Sequence, residues 1–307
     1  MRVFVTGATG FIGSAIVQDL LNAGHQVRGL YRSAEGAAAL LAAGAEAYRG
    51  DTTDLDSLRK GLEGCDGVIH TAFNHDFTKF GANARDKFKE SAEADRRTIQ
   101  AMGAALAGTA RPLIITSALA VLPPGQLVTE SDRAPAGSPN PRVASEEAAD
   151  AVAATGGRVA VVRLPPSVHG PGDKNGFVPT LIRIARTQGV SVYPGEGLNT
   201  WPAAHVLDVA RLYRLAVEHD FTPGTRFHAV AEQGVRLRDI AGRIGHHLPL
   251  PVESRSGEAA QAHFGPFSYF AGLNVQASGE ETQRQLGWQP THATLLADLD
   301  NGSYFPA

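Results

Sequence analysis

The sequence predicts an α/β protein with a doubly wound parallel sheet and a small C-terminal lobe. Three features support this. Short apolar runs alternate with helix-length stretches through the first half, a glycine-rich turn joins the first strand to the first helix, and proline and glycine become dense after residue 163. Strands that alternate with helices are typical of right-handed βαβ units. With 307 residues, 43% of them hydrophobic, the chain can form a large domain plus a smaller lobe.

Each element of the first half follows from a local pattern. The predicted strands are RVFVT (2–6), HQVRGLYR (25–32), AEAYRGD (45–51), DGVIHTAF (66–73), RPLIITSA (111–118) and RVAVVRL (158–164). Apolar residues near a 3.6-residue period predict helices between them, at 11–24, 34–44, 82–108 and 139–157. In the second half we predict helices at 177–189 and 205–220 and a strand within 190–197.

Composition limits the function classes. The net charge of -3 gives no basic excess for nucleic acid or for an anionic membrane surface. The one cysteine, Cys65, excludes a disulfide framework, and the scattered histidines lack metal-ligand spacing, so we expect no metal. The N-terminal residues do not resemble a signal peptide, and no apolar run could cross a bilayer. We therefore expect a cytoplasmic protein.

The segment TGATGFIG follows the first strand and opens the first helix. Gly7 permits the tight turn, Gly10 lets the backbone approach a pyrophosphate, and Gly13 lets the helix pack on the strand. The amides at the helix N-terminus then favour phosphate. Turn glycines without a ligand are the alternative, but the strand–loop–helix context predicts a dinucleotide-binding Rossmann domain over 1–164. Residues 165–307 would mainly form a substrate lobe, with 203–219 returning to the Rossmann domain.

The end of the second strand selects the nucleotide. NAD-binding sites usually carry a carboxylate there for the ribose hydroxyls, whereas this chain has LYRS, with Arg32. A guanidinium can pair with the 2′-phosphate of NADP(H). We therefore expect NADP(H), with NAD(H) as the less favoured cofactor. A solvated surface arginine is the alternative.

Several segments, TGATGFIG, RGDTTD, VIHTAF, IITSA, VVRLPPSVHGPGD and LGWQPT, together resemble the extended short-chain dehydrogenase/reductase superfamily. The similarity is to its NAD-dependent epimerase/dehydratase-like branch, and it runs along nearly the whole chain. It implies a cleft for a small-molecule substrate, and pairing into a homodimer through the helices at 82–108 and 142–154. The cofactor-binding residues that the resemblance and the residue types indicate are Gly7, Thr9, Gly10, Phe11, Ile12, Gly13, Arg32, Asp51, Thr52, Thr71, Ala72, Phe73, Ser117, Glu146, Pro165 and Val168.

The catalytic Tyr-x-x-x-Lys pair of that family is missing. In PNPRVASEEAAD, Arg142 stands at the tyrosine position and Glu146 at the lysine position. Arginine cannot act as a general acid near neutral pH, although it can polarise a carbonyl or hold a carboxylate. Glu146 can accept hydrogen bonds from ribose hydroxyls. The simpler alternative is an Arg142–Glu146 ion pair between residues i and i+4 of one helix face.

Another group must therefore supply the proton. The catalytic candidates are Ser117 as a relay from water, Arg142 as a fixed cation and His75 in the loop after the fourth strand, with His169 and Tyr193 as further proton donors. A loop histidine such as His75 can also be merely solvated. The sequence predicts an NADP(H)-dependent oxidoreductase that acts on a small carbonyl or activated double bond. A catalytically inactive NADP(H)-binding sensor is the alternative, and nucleotide-sugar epimerisation or dehydration is less favoured without the Tyr/Lys pair.

Overall fold

The computed structural model describes residues 1–75, 83–301 and 303–305, and a seven-stranded parallel sheet is its main feature. The sheet order is β3-β2-β1-β4-β5-β7-β11. These strands are β1 (Arg2–Thr6), β2 (Gln26–Tyr31), β3 (Glu46–Arg49), β4 (Gly67–His70), β5 (Leu113–Ala118), β7 (Val159–Leu164) and β11 (Thr225–His228). The order reverses between β1 and β4, and ligands bind at such a switch point in open α/β sheets.

Helices cover both faces of the sheet, which confirms the predicted doubly wound architecture. They are α1 (Phe11–Asn22), α2 (Ala34–Ala43) and α7 (Val206–Glu218) on one face, and α3 (Leu55–Gly61), α4 (Ala84–Leu106) and α5 (Val143–Ala154) on the other. Side chains of alternate strand residues pack into two separate hydrophobic cores, one on each face of the sheet. Val3 and Val5 of β1 pack with α1 and α7, whereas Phe4 packs with the helices on the opposite face.

A smaller lobe follows β7. It contains β8 (Ser167–His169), α6 (Phe177–Gln188), β9 (Ser191–Pro194), β10 (Thr200–His205), β12 (Glu232–Arg236), α8 (Leu237–His247), β13 (Val252–Arg255), α9 (Gly257–Phe264), α10 (Ser268–Ala271) and α12 (Leu295–Asp300). Its core surrounds the buried Trp201. A short parallel pair is formed by β6 (Leu127–Val128) and β14 (Gln276–Ala277). Helix α11 (Glu280–Leu286) contacts α7 and β11.

The chain returns from the lobe to the main sheet through α7 and β11. Helix α7 packs along α1, and β11 pairs in parallel with β7 to form one edge of the sheet. The returning segment is therefore longer than the predicted 203–219. The sequence prediction also omitted α3, a seven-residue helix capped by Asp54. The predicted helix at 82–108 began on a residue outside the described ranges.

The outward face of α4 and α5 bears on the predicted homodimer. Its exposed side chains include Glu93, Arg97, Gln100 and Glu147, so the face is charged rather than apolar. Dimerisation through these helices stays a prediction. Among the described helices, none is long and apolar enough to cross a membrane.

Candidate functional site

The glycine-rich loop has the geometry of a phosphate cradle. Gly7 adopts φ +69°, and a Cβ there would lie 2.6 Å from Thr71 Oγ1. A Cβ on Gly13 would lie 2.0 Å from the carbonyl oxygen of Gly7, so α1 can approach the loop only through a glycine. Gly10 begins α1 in an extended conformation, and no side chain caps the helix. The amides of the first turn of α1 are therefore left for a ligand.

The neighbouring loops meet at this cradle. The Thr71 hydroxyl donates to the carbonyl oxygen of Thr6 at 2.8 Å, and the Ala72 amide reaches Thr6 Oγ1 at 3.4 Å. Among the other predicted cofactor residues, Thr9 lies in the glycine-rich loop, Phe11 and Ile12 open α1, Thr52 lies in the turn after β3, Pro165 follows β7 and Val168 lies in β8. Their contact with a cofactor stays a prediction. A Cβ on Gly172, in the loop after β8, would be 4.0 Å from Phe11, which places that loop across the α1 terminus.

Arg32 follows β2 and has the exposure that a ligand-binding side chain needs. Its side chain is 81% exposed, and its nearest ionic partner is Asp51, at 3.8 Å. Burial alone would raise the pKa of Asp51. Hydrogen bonds from the amide and hydroxyl of Thr53, together with the charge of Arg32, lower it instead. The Asp51 carboxylate therefore orders its own turn and leaves Arg32 largely in solvent.

A buried ionic network surrounds Arg142, the residue that the sequence resemblance places at the catalytic tyrosine position. Arg142 and Asp95 are 8% and 6% exposed, and Arg142 Nη1 donates to Asp95 Oδ2 at 2.7 Å. Arg142 Nη2 donates to the Thr116 carbonyl at 2.7 Å, and a further bond joins Nη1 to Ser145 Oγ. Ser145 in turn donates to Asp95 Oδ2 at 2.5 Å, while His70 Nε2 lies 2.9 Å from Asp95 Oδ1.

This network fixes the charge of Asp95. Burial would raise the pKa of its carboxyl, but the charge of Arg142 and hydrogen bonds from His70 and Ser145 more than offset that, so the pKa lies well below its usual range. Thr6 Oγ1 lies 2.6 Å from His70 Nδ1. These partners fit a ring that donates from Nε2 to Asp95 and accepts at Nδ1 from Thr6. The cation of Arg142 is therefore already balanced by a buried anion.

Glu146 has a different partner from the one predicted. Its two carboxylate oxygens accept from Nε and Nη2 of Arg163 at 2.8 and 2.7 Å, and Arg226 Nε lies 3.6 Å away. Burial would raise the pKa of Glu146, but Arg163 and Arg226 lower it. The alternative of an Arg142–Glu146 ion pair on one helix face is wrong, because Arg142 pairs with Asp95 of α4 and Glu146 with Arg163 of β7. Arg163 thus engages both carboxylate oxygens, and the contact of Glu146 with the ribose stays a prediction.

Ser117 lies near Glu146, on the side of β5 that faces α5. Its hydroxyl is buried and lies close enough to the Glu146 carboxylate to help lower the pKa of that carboxyl, although the contact falls short of a hydrogen bond of ordinary geometry. Strand alternation explains this position, since Leu113 and Ile115 of the same strand pack into the core beneath α5. A proton relay or cofactor contact through Ser117 would require this buried hydroxyl to become accessible, and both roles stay predictions.

His75 and His169 differ in accessibility. His75 is exposed in the loop after β4, and its Nδ1 lies 3.1 Å from the carbonyl oxygen of Phe73. His169 is buried, with Nδ1 2.6 Å from Asp298 Oδ2. Burial lowers the pKa of His169 more than Asp298 raises it. The buried His169 therefore links β8 to α12 within the lobe through Asp298. The exposed His75 is the better placed of the two for exchanging a proton with a ligand.

Asp95 and His70 were missed by the sequence reasoning. The signal for Asp95 is its place in α4, three residues after the buried Ala92 and four before the buried Ile99. An acidic residue on the apolar face of a helix needs a buried partner. His70 ends an otherwise apolar strand, which is a weaker signal. In the described ranges, no group of three or more His, Cys, Asp or Glu side chains is arranged to hold a metal ion.

Comparison with known proteins identifies the family. Residues 3–228 match the model of the NAD dependent epimerase/dehydratase family. The chain belongs to this family. It has the extended short-chain dehydrogenase/reductase architecture that TGATGFIG and the other motifs predicted.

Relatives of known sequence and solved structures of similar fold align along nearly the whole chain. An uncharacterized protein of Schizosaccharomyces pombe is 50% identical over 306 residues, 99% of this chain and 100% of that protein. A 4-hydroxy-2-methyl-3-oxo-4-farnesyl-3,4-dihydroquinoline-1-oxide ketoreductase of Stigmatella aurantiaca is 30% identical over 295 residues, covering 93% of this chain and 82% of its own. The solved UDP-glucuronic acid 4-epimerase of Bacillus cereus, in complex with UDP-glucuronic acid and NAD, has a TM-score of 0.77 at 19% identity and covers 99% and 98% of the two chains. At that identity the solved structure supports the fold alone.

Proposed function

We propose that the protein is an NADP(H)-dependent oxidoreductase that acts on a small carbonyl or activated double bond with a non-standard proton donor. The observation that carries the proposal is the uncapped α1 terminus beneath the glycine loop, with the exposed Arg32 at the end of the neighbouring strand. Membership of a family named for NAD-dependent chemistry, and a ketoreductase among its relatives, support a redox reaction.

The residues present fit a dinucleotide. The amides of Phe11 and Ile12 would hold the pyrophosphate, because no side chain caps them and a helix N-terminus favours anions. Arg32 would pair with the 2′-phosphate, and Asp51 would lie beside the adenine ribose. When bound, the nicotinamide would supply the hydride of the reduction.

The proton must come from a group outside the usual pair. The buried Arg142 is held by Asp95 and cannot donate a proton near neutral pH. His75 is exposed and follows β4, beside the switch point of the strand order. Reduction of an activated double bond or an imine needs a weaker acid than reduction of a ketone does, so this site is better suited to those substrates. We expect a cytoplasmic location from the sequence.

The cofactor is tested by titrating the protein with NADPH and NADH and following the fluorescence of the bound nucleotide. NADH is measured in parallel because the Bacillus cereus epimerase was solved with NAD. A charge-assisted bond contributes about 1.5–3 kcal/mol, so Arg32→Ala is expected to weaken NADPH binding by about tenfold or more and to leave NADH nearly unchanged. The matched control is Arg284→Ala, an arginine with a 72% exposed side chain on α11, which contacts the β11 edge of the sheet. Equal effects on the two nucleotides would overturn the NADP preference.

The reaction is tested with the protein in molar excess over NADPH and a panel of ketones, aldehydes, enones and imines. Consumption of NADPH above the protein-free rate with any class supports the oxidoreductase, and the class that reacts defines the substrate. Tight NADPH binding without consumption favours the inactive sensor instead. In that case the nucleotide would be a ligand that regulates the protein rather than a co-substrate.

A further inference from the structure

We propose that Arg142 is a positioning residue, which fixes Phe73 and, through Phe73, holds the imidazole of His75 at the carboxyl end of β4. The arginine at the tyrosine position would thus act on the proton donor rather than on the substrate. The reaction that His75 would serve rests on the proposed function, but the arrangement of the three side chains can be tested without it.

The guanidinium of Arg142 is held on several sides. It donates to the Asp95 carboxylate on α4 and to the Thr116 carbonyl on β5, each at 2.7 Å, and it also bonds to Ser145 one turn along α5. These partners belong to three elements of the Rossmann domain. A planar cation with its N–H groups engaged in this way presents a flat face of fixed orientation.

That face lies against Phe73. The Cζ atom of Arg142 is 4.0 Å from the centre of the Phe73 ring, well within the range of a cation–π contact. The same ring also makes an edge-to-face contact with Phe88 of α4, with ring centres 6.2 Å apart. Phe73 is therefore packed between the arginine and α4, although it belongs to a loop.

His75 is attached to Phe73 by two contacts. Their ring centres are 5.1 Å apart in an edge-to-face arrangement, and His75 Nδ1 lies 3.1 Å from the carbonyl oxygen of Phe73. A carbonyl oxygen only accepts, so Nδ1 carries a hydrogen and Nε2 is the nitrogen that would exchange a proton with a ligand. The order of contacts is Asp95, Arg142, Phe73 and then His75, from the core to the surface.

The proton balance of the proposed reduction is simple. The Nε2–H bond of a protonated His75 breaks, an O–H or C–H bond forms on the product, and the electron pair of the broken bond stays on Nε2. The two electrons of the reduction come from NADPH, as in the proposed function. Because His75 is exposed, its imidazole regains a proton from water.

The positioning is tested by NMR of the histidine Cε1–H groups, where the signal absent in His75→Gln identifies His75. Phe73→Leu removes the aromatic ring and leaves the Asp95–Arg142 pair intact. Arg142→Lys keeps the charge opposite Asp95 but loses the flat face. Both are expected to move the His75 signal toward that of an unfolded histidine, whereas Phe73→Tyr keeps it in place. The control is Arg96→Met, which removes the partly exposed arginine adjacent to Asp95 in sequence. An unmoved His75 signal in a folded Phe73→Leu protein would overturn the positioning.

Kinetics separate the positioning from the proposed function. With NADPH saturating, His75→Gln is expected to reduce kcat by on the order of 10²–10⁴, the usual contribution of a general acid. Arg142→Lys should give a smaller decrease in kcat and flatten the alkaline limb of the pH profile, on which the proton donor loses its proton, with little effect on the Kd of NADPH. A His75→Gln protein with normal kcat would remove the catalytic part of the inference. If the wild-type protein shows no turnover, the proposed function fails, while the NMR result still decides the positioning.

Discussion

Replacing Arg142 by methionine should destabilise the fold far more than the same replacement of a surface arginine would. The side chain is 8% exposed and its partner Asp95 is 6% exposed, so the variant leaves a carboxylate buried without its cation. Removing one partner of a buried ion pair costs about 3–5 kcal/mol. A typical domain is stable by about 5–15 kcal/mol, so the variant would lose a large share of its free energy of unfolding.

A second substitution tests whether the unpaired charge is the cause. Asp95→Asn keeps an oxygen that can accept from His70 and an amide that can donate to Ser145, but it removes the negative charge. The double variant Asp95→Asn/Arg142→Met should therefore recover about half of the lost stability or more. Arg96→Met, which breaks a partly exposed pair with Glu147, should cost about 1 kcal/mol or less.

The measurement is the free energy of unfolding from urea titrations of the four proteins, at pH 7 and at lower pH. The pKa of Asp95 is depressed in the folded protein, so the stability that its ionised form contributes is present above its unfolded pKa of about 3.9 and declines as the pH falls below it. The difference in free energy of unfolding between the wild-type protein and Arg142→Met should therefore decrease as the pH falls below about 3.9. A single variant within about 1 kcal/mol of wild type at pH 7, or a double variant no more stable than the single, would refute the reasoning.

Three further predictions concern other parts of the molecule. Gly13→Ala should lower the melting temperature and weaken NADPH binding by about tenfold or more, because the new Cβ would lie 2.0 Å from the carbonyl oxygen of Gly7. The control Gly242→Ala, with open space around its Cβ, should do neither. Burial and then the charge of Arg163 lower the pKa of His228 to about 4, so the wild-type protein should lose stability as the pH falls from about 6.5 to 4. Urea titrations across this pH range should show a smaller loss in His228→Asn. Coincident pH profiles of the two proteins would contradict this prediction. Light scattering should give a dimer mass if α4 and α5 pair between subunits, and a monomer mass would exclude that pairing.

The elements of the main sheet were predictable because each depends on a local pattern. β1 and β7 are apolar runs bounded by polar residues, and α1 and α2 begin and end where the turn residues indicate. α3 was not predicted because its seven residues, with Leu55 and Leu58 as the leucines, are too few to show a helical period. Local patterns also do not show that β11 would complete the sheet after the chain had left it.

The conformation of the glycine-rich loop was predictable for the same reason, whereas the partners of Arg142 and Glu146 were not. The spacing of two residues along one helix suggested that they pair with each other. In the structure, Asp95 is 47 residues from Arg142 in the sequence, and Arg163 is 17 residues from Glu146. Those contacts depend on how α4, α5 and β7 pack, and no periodicity in one element reports that packing. The sequence identified the unusual residues but not the side chains that neutralise them.

The return of the chain through α7 and β11 has a consequence for recombining this protein with its relatives. A cut after β7 would separate the sheet from its edge strand and from the helix that packs along α1. The smaller lobe therefore cannot be exchanged as a simple C-terminal half. A functional graft must keep residues 206–228 with the Rossmann domain and join the new lobe on both sides of them. During synthesis, the sheet likewise stays incomplete until residue 228 has left the ribosome.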